Sequence, residues 1–218
     1  MHSINKYSQY IFDCDGVILD SNQLKIEAMA LTLNEIGIEE NIVKECINYF
    51  SNNFGKSRFH HVDVFIRDFF QIEMDQRATY RTQILELFSK RCKALYMQAH
   101  LTPGFIDFIS SLEGSKFVAS GSEQKELREV FKARGLDIYF NGIYGSPAQK
   151  SDLVAQILKQ IDKPNAIMFG DAISDMEAAK NNKIDFVGYI PFSNVKEKLT
   201  ILIKNNDYTL VGHWKELS

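Results

Sequence analysis

Little in this chain could staple it, kink it or bury it in a membrane. Its 218 residues include three cysteines and four prolines. Cys14, Cys46 and Cys92 are odd in number and widely spaced, with no CxxC pair, which argues against a disulfide framework and for reduced thiols. With so little proline, no repeat and no low-complexity segment, no flexible linker is expected. No apolar run approaches membrane-spanning length, and residues 1–9 lack the apolar stretch of a secretion signal, so the expected setting is the cytoplasm without a membrane partner. There is no run of Lys or Arg, and the net charge of −3 offers no general attraction to nucleic acid. What remains is ordinary globular composition, 45% hydrophobic and 24% charged, enough for one core or one core plus a small accessory domain.

One stretch stands out. Tyr10-Ile11-Phe12 reads as the end of a buried strand and is followed by Asp13, Asp15 and Gly16. A buried strand delivers both acids to its C-terminal edge, where open parallel sheets place their ligands. Their alternate positions aim both side chains roughly the same way before the chain bends at Gly16. Two close carboxylates repel unless a cation lies between them, and a hard divalent ion such as Mg²⁺ answers that need. A carboxylate is also a nucleophile in phosphoryl transfer. A simple Asp-Gly turn is the bland alternative, and it leaves the apolar run unexplained.

After Ser21 the pattern is helical for about eighty residues. Leu24, Ala28, Leu31 and Ile36 mark a first helix ending at Gly37; Ile42, Cys46, Tyr49 and Phe50 mark a second closed by Ser51-Asn52-Asn53. A third is expected from about Ser57 to Phe70 and a fourth from Asp75 to about Met97. The phenylalanines of this block (Phe50, Phe54, Phe59, Phe65, Phe69, Phe70) read as core. His60 and His61 are adjacent, hence about 100° apart on a helix, and chelate one ion poorly; they read as polar residues of the block. From Pro103-Gly104 onward, candidate strands at Lys116–Ala119, Gly142–Tyr144, Ala166–Phe169, Phe186–Tyr189 and Tyr208–Val211 alternate with helices near Glu123–Arg134, Gln149–Gln160, Ser174–Asn181 and Asn194–Ile203. Such βα alternation implies a parallel sheet covered on both faces, with the helical block inserted after its first strand.

Three later stretches carry polar groups at strand ends. Val118-Ala119-Ser120-Gly121-Ser122 offers small residues through which backbone amides and the Ser120 hydroxyl can approach a phosphate, with Ser122 as the expected N-cap of the next helix. Lys150 opens a helix, where the helix dipole disfavours a cation. Phe169-Gly170-Asp171-Ala172-Ile173-Ser174-Asp175 repeats the first logic: apolar strand, glycine, acid, and a second acid four residues on.

In this order, the four stretches resemble the four motifs of the haloacid dehalogenase-like superfamily, and the resemblance covers nearly the whole chain. It implies an α/β, Rossmann-like parallel-sheet core at residues 1–20 and 99–218, with an all-helical C1 cap at 21–98. The implied activity is Mg²⁺-dependent hydrolysis of a small phosphorylated metabolite, such as a sugar phosphate or phosphoglycolate, through an aspartyl-phosphate. Asp13 would be the nucleophile and Asp15 the general acid/base. Ser120, Gly121 and Lys150 would hold the phosphate. Asp13, the Asp15 main-chain carbonyl and Asp171 would bind Mg²⁺, with Asp175 acting through water or by supporting Lys150. The cap resembles the phosphoglycolate phosphatase and β-phosphoglucomutase branch, and Phe54-Gly55-Lys56-Ser57-Arg58 is similar to its cap loop. That similarity assigns Arg58, assisted by Lys56, to the substrate. Asp15 counts against dehalogenase chemistry, and no Schiff-base lysine of the phosphonatase kind is found. A phosphomutase is the first alternative, weakened by Lys25 where that branch carries a hinge histidine. A non-catalytic binding protein is the second, opposed by the intact polar set. A monomer is the default expectation, with a dimer through the cap as the other arrangement.

Overall fold

A computed structural model describes residues 4–162 and 164–217. Six parallel strands form one sheet: β1 (Gln9–Phe12), β2 (Ser115–Glu123), β3 (Gly142–Ser146), β4 (Ala166–Gly170), β5 (Asp185–Tyr189) and β6 (Thr209–Val211). Their spatial order is β3-β2-β1-β4-β5-β6. The chain winds one way from β1 to β3, then crosses back to build outward from β4, so β1 and β4 flank the point where winding reverses. Ligands of open parallel sheets bind in the crevice there, beyond the strand C-termini.

Alternation along the strands assigns side chains to two faces. Tyr10, Phe12, Val118, Ile167, Phe169, Val187 and Tyr189 face one core. That face is covered by α5 (Phe105–Ser111) and α6 (Gln124–Ala133). Ile11, Phe117, Ala119, Met168 and Phe186 face the other core, under α7 (Lys150–Leu158), α8 (Ile173–Asn181) and α9 (Lys196–Asn205). Phe12 stacks on Phe169 at 4.7 Å between ring centroids, which fixes β1 against β4 immediately below their acidic ends. The one tryptophan, Trp214, lies flat on Tyr189 at 4.2 Å and on Phe108 at 4.8 Å, and its indole N–H donates to the Thr102 hydroxyl.

Between β1 and α5 lies the helical cap: α1 (Asn22–Glu35), α2 (Glu40–Asn52), α3 (Arg58–Val64) and α4 (Arg77–Gln98). The third helix is shorter than its sequence pattern predicts. Its α-geometry stops at Val64 and a π-helical turn runs over Phe65–Phe69, closed by Phe70 N–H on the Phe65 carbonyl. The wider turn brings both Phe65 and Ile66 inward and leaves Arg67 and Asp68 in water. Helix α5 has no counterpart among the predicted elements, because seven residues are too few for periodicity to identify.

Strand β2 also runs past its predicted end. Ala119 pairs with Tyr144 but Glu123 pairs with Ser146, so Ser120-Gly121-Ser122 bulges from the ladder. The expectation that Ser122 caps the next helix is therefore corrected. Ser122 still belongs to the strand, and Glu123 is the cap, accepting from the N–H groups of Lys125 and Glu126. Among the described residues no helix is long and apolar enough to cross a membrane.

Replacing Trp214 with alanine should remove the stack that seals the α5 face and lower stability by about 3–5 kcal/mol. The urea midpoint followed by circular dichroism measures this; a loss below about 1 kcal/mol would show that the stack packs too loosely to matter.

Candidate active site

The C-terminal ends of β1 and β4 lie side by side, and each continues into an acid. Asp13 N–H donates to the Phe169 carbonyl, extending the ladder by one residue and pinning the first carboxylate beside the second strand's exit. Asp171 follows β4, and Asp175 returns to the same place from the first turn of α8. Oxygen atoms of Asp13, Asp171 and Asp175 all lie within 4.8 Å of one another, and all three residues are buried.

Among the described residues one cation faces this trio. Lys150, first residue of α7, donates to Asp13 Oδ1 at 2.8 Å and to Asp175 Oδ1. Burial works against its charge, but Asp13 and Asp175 outweigh that and keep it an ammonium. Asp175 is fully engaged, because its Oδ2 also accepts from the N–H groups of Asp171 and Ala172 at 3.1 and 2.9 Å. Asp171 is not. Its Oδ2 accepts from the Asn22 amide at 2.6 Å, while its Oδ1 is buried without a partner. Burial, and then the charges of Asp175 and Asp13, push the Asp171 carboxyl well above the usual carboxylate range. Burial likewise pushes Asp13 up to about 7 against the pull of Lys150.

Three carboxylates against one ammonium, with an orphaned oxygen among them, suit a hard divalent cation with oxygen ligands. Asp13 and Asp171 can hold Mg²⁺ here. The Asp15 carboxylate lies outside this trio, so only its main-chain carbonyl, as the sequence reading assigns it, is left for an ion.

Asp15 occupies an opposite environment two residues along, immediately before the turn at Gly16. Lys25 of α1 donates to its Oδ2 at 2.9 Å, Ser21 to its Oδ1 at 2.6 Å, Tyr96 of α4 to Oδ1 at 2.8 Å, and Ser122 to Oδ2 at 3.0 Å. Burial opposes its charge, yet Lys25 and the hydrogen bonds of Ser21, Lys25 and Tyr96 prevail and hold it below the usual range. Ser120 is buried at the bulge, its oxygen accepting from Ser122 N–H at 3.1 Å, with a hydroxyl proton still its own to donate.

The cap loop touches the core directly. A Cβ on Gly121 would stand 2.5 Å from the Gly55 carbonyl oxygen, and Gly55, at φ +87°, is itself 3.4 Å from Lys150 Nζ by the same measure. Only glycines allow this approach. Arg58 and Lys56, assigned to the substrate by sequence, both line a small space between cap and core beside Gly121 and Ser122. Lys56 is exposed, its ammonium 3.4 Å from Asn53 Oδ1. Arg58 is buried and gives both terminal nitrogens to Glu126 of α6 at 2.7 and 2.6 Å. His60 meets the Tyr49 hydroxyl, whereas His61 is buried with its ring 4.6 Å from that of Phe50 and lines the same space as Arg58. Sequence reasoning missed Asn22, Tyr96 and Glu126 and misassigned Ser122; only Lys25, singled out by its place after Asp20-Ser21, carried a signal.

The sequence model of the haloacid dehalogenase-like hydrolase family matches residues 10–189, which include every acid described above. The chain belongs to this family. Solved structures agree in fold. A haloacid dehalogenase-like family hydrolase from Streptococcus pneumoniae is 20% identical, with a TM-score of 0.71 over 97% of this chain and 96% of that one. A protein described as a predicted phosphatase from Clostridium acetobutylicum is 20% identical, with a TM-score of 0.74 over the same shares. CbbY from Rhodobacter sphaeroides, solved with xylulose-(1,5)bisphosphate, is 17% identical, with a TM-score of 0.70 over 97% and 96%. A search of curated proteins returns no match.

For this hydrolase, Mg²⁺ at a hundred times its Kd should raise stability by about 2.7 kcal/mol, reversed by EDTA. Asp171→Asn should raise the metal-free Tm and abolish the Mg²⁺ shift; a variant that still responds fully would remove Asp171 from the ion site. Metal-free Asp13 keeps its proton to about 7, whereas an unfolded aspartate loses it near about 4. The folded state thus binds the extra proton between these values, so metal-free stability should fall as pH rises through that window. Denaturant midpoints across pH test this; Asp13→Asn should make the slope shallower, and the part that persists belongs to Asp171, whose carboxyl is also pushed above the usual range.

Proposed function

We propose that the protein is a Mg²⁺-dependent phosphatase of a small phosphomonoester, working through an aspartyl-phosphate on Asp13. The observation that carries this reading is the buried Asp13–Asp171–Asp175 trio, opposed among the described residues by Lys150 alone, at the mouth of the sheet. A buried excess of negative charge is costly in an apoprotein and useful beside a cation and a phosphoryl group.

Asp13 Oδ1 or Oδ2 attacks phosphorus, forming the aspartyl-phosphate as the leaving alkoxide departs. Asp13, Asp171 and the Asp15 carbonyl, with Asp175 in support, would hold Mg²⁺, which would screen the repulsion between nucleophile and phosphate. Lys150 and the Ser120 hydroxyl, with the Gly121 backbone, hold the transferring oxygens. Asp15 donates a proton to the alkoxide and then takes one from the water that hydrolyses the intermediate. The carboxylate clamped by Lys25 and Tyr96 is the form that accepts a proton from water. Both clamps come from the cap, so cap opening relaxes them and favours the protonated form that the first step uses. In this reading residues 21–98 are the cap that excludes bulk water, and residues 1–20 and 99–218 are the core.

Purified protein should release phosphate from a subset of phosphomonoesters with Mg²⁺ and not with EDTA. Asp13→Asn should lower kcat by about a thousandfold or more. A fully active Asp13→Asn protein would end the mechanism.

A further inference from the structure

The two residues that lead into the cap each touch a different acid of the site. Ser21, the N-cap of α1, gives its hydroxyl to Asp15 Oδ1 at 2.6 Å and makes no side-chain cap to its own helix. Asn22, the first residue of α1, is 2% exposed. Its amide nitrogen donates to Asp171 Oδ2 at 2.6 Å and to the Phe192 carbonyl at 2.9 Å. Gly16 makes room for this meeting: a Cβ there would stand 2.4 Å from Asp171 Oδ2 and 2.5 Å from Asn22 Nδ2. Both amide protons are therefore matched, but Asn22 Oδ1 is buried without a partner, as is Asp171 Oδ1. Among the described residues this is the one hydrogen-bonded pair of side chains in which both members keep an orphaned buried oxygen. Such oxygens need a donor or a cation, and Lys150 is already taken by Asp13 and Asp175.

We propose that Asn22 is a positioning residue of the ion site and ties the cap to the metal. Its amide nitrogen fixes Asp171, its Oδ1 accepts from a water of the ion's shell, and its place in α1 lets the bound ion hold the cap down. This rests on the Mg²⁺ reading above. The bond from Asn22 occupies Asp171 Oδ2 and leaves Oδ1 for the ion. It also favours the charged carboxylate, which is the form that ligates. Mg²⁺ dehydrates reluctantly and keeps several waters, each with protons to place, and a buried amide oxygen is an acceptor for one of them. An acid in place of Asn22 would add a fourth charge to Asp13, Asp171 and Asp175, whereas a neutral amide orients without adding to the repulsion. Because Asn22 opens the first cap helix, ion binding favours the cap position in which Asn22 meets Asp171. By linkage, a cap in that position binds the ion more tightly.

The Tm of the full chain titrated with MgCl₂, without substrate, reads the ion affinity directly. Asn22→Leu, apolar and similar in shape, removes both amide interactions and should weaken Mg²⁺ binding by about 10–100-fold. Asn22→Ala should do the same and serves if the leucine variant does not fold. Amide hydrogen exchange in the cap–core connections, residues 20–25 and 99–102, should slow when Mg²⁺ saturates the wild-type protein and should slow less in the variants. A variant that loses stability in EDTA yet binds Mg²⁺ with unchanged affinity would reduce Asn22 to a structural contact with Phe192 and overturn the inference. So would exchange that Mg²⁺ slows equally with and without Asn22. Either result would leave the ion site and the phosphatase reading intact. A wild-type protein that binds no Mg²⁺ would overturn the ion site, and this inference with it.

Discussion

Three buried carboxylates share the mouth of the sheet with one ammonium, and much of the architecture serves to hold them there. Left to themselves Asp13, Asp171 and Asp175 would separate or take up protons. They are held by backbone: Asp13 by the last rung between β1 and β4, Asp175 by two N–H groups at the start of α8. Under them the Phe12–Phe169 stack fixes the two strands at a depth water does not reach. The apolar core here does more than stabilise the fold. It supplies the low-dielectric floor that makes the acids crowd and gives a cation something to answer.

Asp13 and Asp15 leave the same strand two residues apart and arrive in contrary surroundings. The first sits among other acids and holds its proton up to about 7, while the second is ringed by Lys25, Ser21, Tyr96 and Ser122 and stays charged. Pushing paired carboxyls apart in proton affinity is how one protein assigns them different tasks. The division of labour is written by partners from α1 and its N-cap, α4 and β2 on one side and α7 and α8 on the other, and β1 itself contributes only the spacing.

That difference also explains what the sequence could disclose. The acids, Lys150 and Ser120 were legible because each directly follows an apolar strand or opens a helix, and strand ends are recognisable from local pattern alone. The alternation of strands and helices was enough to give a parallel sheet with a helical insert. Tyr96 was hidden because its place in the periodic pattern of α4 marks it as core, and nothing local says that its hydroxyl meets Asp15, 81 positions away. Glu126 looked like an ordinary first-turn acid of α6, and its partner Arg58 lies 68 positions back. Ser122 misled for the opposite reason: its local chemistry is that of a helix cap, and the bulge in β2, a tertiary feature, redirects it.

The cap rests closed. Lys25 and Tyr96 reach the core at Asp15, Arg58 reaches it at Glu126, and the Gly55 carbonyl lies against Gly121, so closure holds several contacts at once. A ligand that touches the buried Asp15 carboxylate does so during the fraction of time in which these contacts are broken together. Its apparent affinity is its intrinsic affinity reduced by that fraction. Weak apparent binding by this protein would then measure how firmly the closed form is preferred, as much as how well any molecule fits the space beneath the cap.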